Sequence, residues 1–257
     1  MGVENLPFTV EGRLAHATPT LALPRSTGRG EKCGMKMRWT ILLLLPLVAG
    51  CAGEPFVREP LPVLHHPDPK ALRDAFARTV TDRFISDDTV IIQAPFRSDL
   101  AVLGVLRVDR VAGTFELVGL NHLGVKLFDL TGDRHGTAVR FAIPPLMKQQ
   151  EVLLAIGDDI RRMYFDLVPG RNAVAQIERT DVKFTQKEPG ERLVYEFGGQ
   201  PGVLLEKRSI GFFGAVWRVR YYRYESQQAS LYPRGIVMDN SEFHYRIIVK
   251  NRDREMQ

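Results

Sequence analysis

LAVLGVLRVDRVAGTFELVGLNHLGVKLFDL, residues 100–130, decides the fold. Val, Leu and Phe crowd three stretches, at 100–111, 114–123 and 125–130, and Gly, Asn and Asp punctuate them. Each stretch is too short and too rich in strand-forming side chains for a helix. They follow one another at hairpin spacing, which predicts an antiparallel meander instead of βαβ units. Upstream, residues 90–96 have the same character. Downstream, Gly132-Asp133-Arg134-His135-Gly136 is a turn into residues 137–143, where Val139, Phe141 and Ile143 alternate with Ala138, Arg140 and Ala142.

Pro144-Pro145 interrupts the strands. Beyond it Leu146, Leu153, Ile156, Ile160 and Met163 recur at helical spacing, which predicts a helix inserted between strands, with a break near Gly157. Strands resume with Leu193, Tyr195 and Phe197, then residues 203–210, then Trp217, Val219 and Tyr221, and finally Phe243, Tyr245, Ile247 and Val249. Period two puts each set on one face of a sheet. That face is apolar and aromatic, whereas the opposite face carries arginines. Before the strands, Asp68-Pro69 reads as an N-cap with proline in the first turn, and Leu72, Phe76, Val80 and Phe84 recur every four residues as one side of a short helix. The reading is an α+β fold: a curved antiparallel sheet of about 8–11 strands whose apolar face is covered by two or three helices.

Residues 35–50 have a short basic start, an apolar middle and a small-residue exit, the layout of a secretory signal. The apolar part, residues 39–49, falls short of the roughly 20 residues that span a bilayer as a helix. Val48-Ala49-Gly50-Cys51 resembles the lipobox of bacterial lipoproteins. The resemblance implies a covalent lipid on Cys51, a mature chain that begins there, and a membrane as partner. The alternative is ordinary cleavage after Gly50, leaving a free thiol. Three acyl chains on one cysteine hold far more firmly than the marginal grip of a single myristoyl group. Ala52 stands where an Asp would retain such a protein in the inner membrane, so the resemblance implies lipid anchoring in the outer membrane of a Gram-negative bacterium, facing the periplasm. Residues 1–34 precede this signal and are read as an N-terminal extension from a mis-assigned start; a long cytoplasmic n-region is the alternative.

Residues 51–67 carry Pro55, Pro60, Pro62 and Pro67 and read as an extended tether with no core residue, leaving 68–257 as a single domain. His65-His66 reads as a solvated pair. The chain has two cysteines, Cys33 in the leader and Cys51, so the mature domain has no internal disulfide and no thiol chemistry. Residues 1–50 hold six Lys or Arg and three Asp or Glu, which leaves the mature chain at +2 of the total +5; the basic balance therefore says little about partners, and the compartment excludes nucleic acid.

The stretch 117–130, the segment from Pro144-Pro145 to Met163, and Tyr232-Pro233-Arg234-Gly235-Ile236-Val237-Met238 followed by residues 243–249 together resemble the LolA and LolB lipoprotein-localisation factors, and a group of proteobacterial outer-membrane lipoproteins of that superfamily. The resemblance spans about residues 85–250. It implies a half-open antiparallel barrel closed by helices, with an apolar cavity for acyl chains and no catalysis. The candidate cavity-lining residues are Phe128, Phe141, Tyr195, Phe197, Trp217 and Tyr245, a set that equally describes a plain filled core.

No GxSxG, HExxH, GxGxxG or Walker run occurs, so no short motif supports an enzyme, a metal centre or a nucleotide cofactor. His122, Asp133 and His135 would form a site only if neighbouring strands brought them together. Asp158-Asp159 reads as solvent-facing. Arg208, Arg218, Arg220, Arg223, Arg246 and Lys250 form either a basic stripe for phosphate headgroups or an ordinary face balanced by Glu206 and Glu225. The function read from all this is binding or transfer of a lipid or acylated molecule. The alternative is a structural accessory that docks to an envelope export or biosynthetic assembly.

Overall fold

The alternating stretches become twelve strands: β1 Arg83–Gln93, β2 Leu100–Asp109, β3 Thr114–Leu120, β4 Lys126–Gly132, β5 Thr137–Ala142, β6 Val174–Ile177, β7 Asp181–Glu188, β8 Glu191–Gly198, β9 Val203–Gly211, β10 Gly214–Gln227, β11 Ser230–Asn240 and β12 Tyr245–Met256. Three helices accompany them, α1 Pro69–Thr79, α2 Pro144–Met147 and α3 Gln150–Tyr164. The computed structural model describes residues 54–58, 62, 64, 67–95, 99–212 and 214–257, all within the unit Gly53–Gln257. Cys51, the leader before it, and His65-His66 lie outside the described residues.

All twelve strands form one antiparallel sheet in the order β5-β4-β3-β2-β1-β12-β11-β10-β9-β8-β7-β6. The chain meanders out from β1 to β5, crosses by way of α2 and α3, and meanders back from β6 to β12. Its last strand therefore pairs with its first, Val90 opposite Val249 and Ile92 opposite Ile247. The sheet is not closed, and β5 and β6 are its two edges.

Three of these strands escape the sequence reading. In β7 the inward Val182 and Phe184 stand among charged and polar neighbours, β6 is only four residues long, and β11 contains Pro233 and Gly235. Each weakens the apolar alternation by which strands are recognised. The rhythm that ends in Val80 and Phe84 also outruns its helix. Asp68 caps α1 as expected, accepting from the Lys70 amide at 3.0 Å, but Val80 is already extended (φ −77°, ψ 116°) and Phe84 is the first inward residue of β1. The break in the inserted helical segment falls at Lys148-Gln149, between α2 and α3, and not at Gly157. Gly157 lies within α3, where the side chain of Thr137 occupies the space a Cβ would need.

The helices lie on one face, called inner here. A core of Phe84, Phe115, Phe128, Leu130, Tyr195, Phe197, Trp217 and Met238 forms between them and the sheet. Polar groups inside it secure the C-terminal end of α3. The Lys207 ammonium donates to the Phe165 carbonyl at 2.9 Å and the Met163 carbonyl accepts from Tyr221 Oη at 3.0 Å. Burial pulls the Lys207 ammonium down to about 8.

The outer face carries a smaller cluster of Tyr222, Val237 and Ile248, and the buried residue that covers it is Phe56. The residues after Cys51 are thus not all free tether: Phe56 is 7% exposed and rests over Gly235, where even a Cβ would stand 2.7 Å from its ring. Glu54 reaches Arg220 and the Tyr222 hydroxyl. Of the basic residues read as either a stripe or a balanced face, four are ion-paired: Arg208 and Arg218 meet Glu206, while Arg220 and Arg246 meet Asp239. Among the described residues, no helix is long and apolar enough to cross a membrane.

Candidate functional site

Strand register creates an unusual floor on the inner face. Asp88 of β1 pairs with Gly104 of β2, Gly104 with Gly119 of β3, and Gly119 with Phe128 of β4. Two adjacent strands therefore lack a side chain at the same level. The Phe128 ring swings over Gly119, whereas a Cβ at Gly104 would meet nothing nearer than 3.5 Å. Around this gap the inward residues of β1, β2 and β12 are Val90, Ile92, Val102, Ile247 and Val249, all aliphatic and none large enough to fill it.

Beside this floor, toward the β1–β2 turn, the N-terminal half of α3 lies over Ile92, Val102 and Ile247. It leaves a cleft of about 560 Å³, walled by Ile92, Val102, Phe128, Leu153, Ile156 and Ile247 and open to solvent at the end of the sheet where β1 turns into β2 and β11 into β12. A smaller pocket of about 40 Å³ shares several of these walls and runs deeper, to Asp88 and Tyr164. Polar groups gather at the mouth: Gln149, Glu151 and His244. The lining is otherwise apolar, as a hydrocarbon chain requires, with few groups able to fix orientation. Met147, Val152 and Phe243 add exposed apolar surface at this end, each 45% exposed or more.

The two ends of α3 are held unequally. At its C-terminal half, Arg161 donates to the carbonyls of Asp133 and Gly136 at 2.9 and 3.0 Å. Asp159, expected to face solvent, is fully buried: Tyr245 Oη donates to it, Asn240 reaches it at 3.3 Å and Arg162 at 2.9 Å. Burial raises the Asp159 carboxyl above its ordinary range despite these donors. At the other end, Gln149 caps α3 with no side-chain hydrogen bond.

Of the six residues expected to line a cavity, Phe128 and Tyr245 wall this cleft. Tyr195, Phe197 and Trp217 are buried on the same face beneath other strands, away from it. Phe141 is 45% exposed on the outer face. The pairing of β4 with β5 slips between Asp129 and Leu130, so that Leu130 faces Val139 while Asp129 faces Phe141. One extra residue in β5 sends Val139 inward and Phe141 outward. The sequence reading missed the aliphatic walls on β1, β2 and α3. The available signal was Gly104 amid Val102 and Leu106, an inward position with no side chain. His122 lies in the β3–β4 turn and His135 in the β4–β5 turn, at opposite ends of the strand between them, so they do not converge. Asp133 instead accepts from the amides of His135 and Gly136, at 2.7 and 2.9 Å, within its own turn. No cluster of potential metal ligands occurs among the described residues.

No protein-family model and no curated protein matches the sequence. Solved structures do match the fold. A LolA superfamily protein from Nitrosomonas europaea superposes with a TM-score of 0.51 at 9% identity, covering 73% of this chain and 93% of that one. A domain from Vibrio parahaemolyticus named for outer membrane lipoprotein sorting gives 0.48 at 11% identity, covering 73% and 91%, and a DUF1329 family protein from Desulfovibrio piger gives 0.44 at 10%, covering 74% and 94%. The fold is LolA/LolB-like.

Proposed function

We propose that this chain is an envelope lipoprotein, anchored in the outer membrane through lipid on Cys51 and facing the periplasm, that holds the hydrocarbon part of a lipid or acylated molecule beneath α3. No bond is made or broken in this reading; the cleft shelters the chain, and Gln149, Glu151 and His244 meet whatever polar group stays at the mouth. The observation that carries it is the open cleft of about 560 Å³ with largely aliphatic walls, beside which a smaller pocket reaches Gly104. That volume lies within the range of about 300–1,000 Å³ usual for small-ligand sites. The LolA-like fold agrees with a carrier.

The test is the lipid content of the purified full-length protein by native mass spectrometry, beside displacement of a fluorescent fatty acid. Ile156 borders both the cleft and its deeper pocket, so Ile156→Trp is expected to weaken fatty-acid binding at least tenfold while costing about 1–3 kcal/mol of stability. A parent protein that carries no lipid and displaces no probe would end the binding reading. Equal incorporation of labelled palmitate by a Cys51→Ser variant would end the anchor reading separately.

A further inference from the structure

A second, smaller void, lined in part by Met163 and Tyr164, lies where α1, the end of α3 and strands β10 to β12 meet. Its volume is about 20 Å³, and Thr81, Arg110 and Arg254 supply its polar wall. Arg254 is 5% exposed, and its Nε and Nη2 have no hydrogen-bond partner; the hydroxyl of Thr81 is also buried and unpartnered. The Arg254 guanidinium lies 4.2 Å from the centre of the Phe84 ring and 4.9 Å from that of Tyr232. Stacking serves the face of a guanidinium and leaves its in-plane N–H donors unsatisfied. Arg110, partly buried beside it, spends Nε on the Tyr164 carbonyl at 2.7 Å and Nη1 on that of Thr81.

No carboxylate lines the void. Asp88 is the acid that acts on Arg254 across the core, but its oxygens are taken by Asn251 Nδ2 and Ser86 Oγ, each at 2.9 Å. Burial also pushes its carboxyl up, towards the neutral form. Two guanidiniums thus share a small space with unspent donors and no lining acid, an arrangement that costs free energy unless a counter-charge enters.

We propose that this void is a binding site for one monatomic anion, of the halide class, held by Arg254 Nε and Nη2 with the Thr81 hydroxyl as third donor. On the same measure a single water needs about 10–15 Å³, so the space admits one small sphere and excludes phosphate, carboxylate and acyl groups. A water would occupy the donors but leave the charge uncompensated. The site is independent of the cleft and of any lipid, and its occupant ties the link between α1 and β1, at Thr81, to β12.

The experiment uses the full-length protein in detergent. Crystals soaked in bromide are expected to show an anomalous peak within hydrogen-bond reach of Arg254 Nε and Nη2. Replacing chloride by gluconate at fixed ionic strength is expected to lower Tm by about 3 °C, with bromide restoring it. Arg254→Met should abolish the difference between the salts, and Thr81→Val, which keeps both charges, should weaken halide binding about tenfold. No bromide peak in the void, or a Tm difference that persists in Arg254→Met, would overturn the proposal and leave the void to water. Should Arg254→Met fail to fold, the bromide crystal and Thr81→Val decide the matter.

Discussion

The inner face of the sheet has two halves built on the same alternation, and they end differently. Beneath α1 the strands β7 to β10 present rings: Phe197 meets Phe76 at 5.1 Å and 78°, and Phe184 at 5.6 Å and 83°, with Tyr195 and Trp217 close by in the same core. Beneath the N-terminal half of α3 the strands β1, β2 and β12 present Val and Ile, with Phe128 and Tyr245 at the sides. Edge-to-face rings close the gap between sheet and helix, as aromatic pairs favour. Short aliphatic side chains under a helix held off by its neighbours leave the gap open. Rings packed against one another therefore mark where this molecule is solid; the cleft lies where aliphatic side chains take their place.

The largest effect that would break this contrast is at Phe197, which is fully buried. Phe197→Ala is expected to cost about 3–5 kcal/mol in chemical denaturation while leaving fatty-acid affinity of the folded protein unchanged. A loss of affinity out of proportion to folding would mean that the two halves are one cavity.

Asp88, at the deep end of the open half, sharpens the contrast through pH. Its carboxyl is raised above 3.8, first by burial and against the pull of Asn251, Arg254 and Ser86. Its contribution to stability is complete below 3.8 and is lost as pH rises through the raised value. Asp88→Asn lacks that loss, so its stability relative to the parent should climb from acid to neutral pH, by less than the Phe197→Ala deficit. Denaturation curves that keep a constant gap across that range would contradict the assignment.

Smaller again is Gly104→Ala. Its Cβ would find ordinary contacts at 3.5 Å, so a gain of about 0.4–1 kcal/mol is expected, with weaker uptake of the longest chains. Phe141→Ser, on the outer face, should change stability by less than about 0.5 kcal/mol and binding not at all. A measurable loss of ligand would return Phe141 to the cavity.

Much of this architecture is legible in residue order. Asp68-Pro69 marks the start of α1, Pro144-Pro145 the crossing, and the alternation of Trp217, Val219 and Tyr221 against Arg218, Arg220 and Tyr222 the two faces of β10. The site was harder to read because its determinants are relations between distant residues. Asp159 is buried by partners 81 and 86 positions away, Asn240 and Tyr245. The face of Phe141 depends on a slip in the pairing with β4, and the glycine floor appears only once β2 and β3 are set in register. Large side chains drew attention to the core, and a space leaves no letter of its own.

Phe56 and Glu54 bear on how the outer face of the sheet is sealed. Glu54 reaches Arg220 and Tyr222, and Phe56 lies over Gly235 and the cluster of Tyr222, Val237 and Ile248. A short piece of chain ahead of the first helix thus acts as a plug for an apolar patch that β10 to β12 would otherwise show to water, and its removal would leave that patch bare.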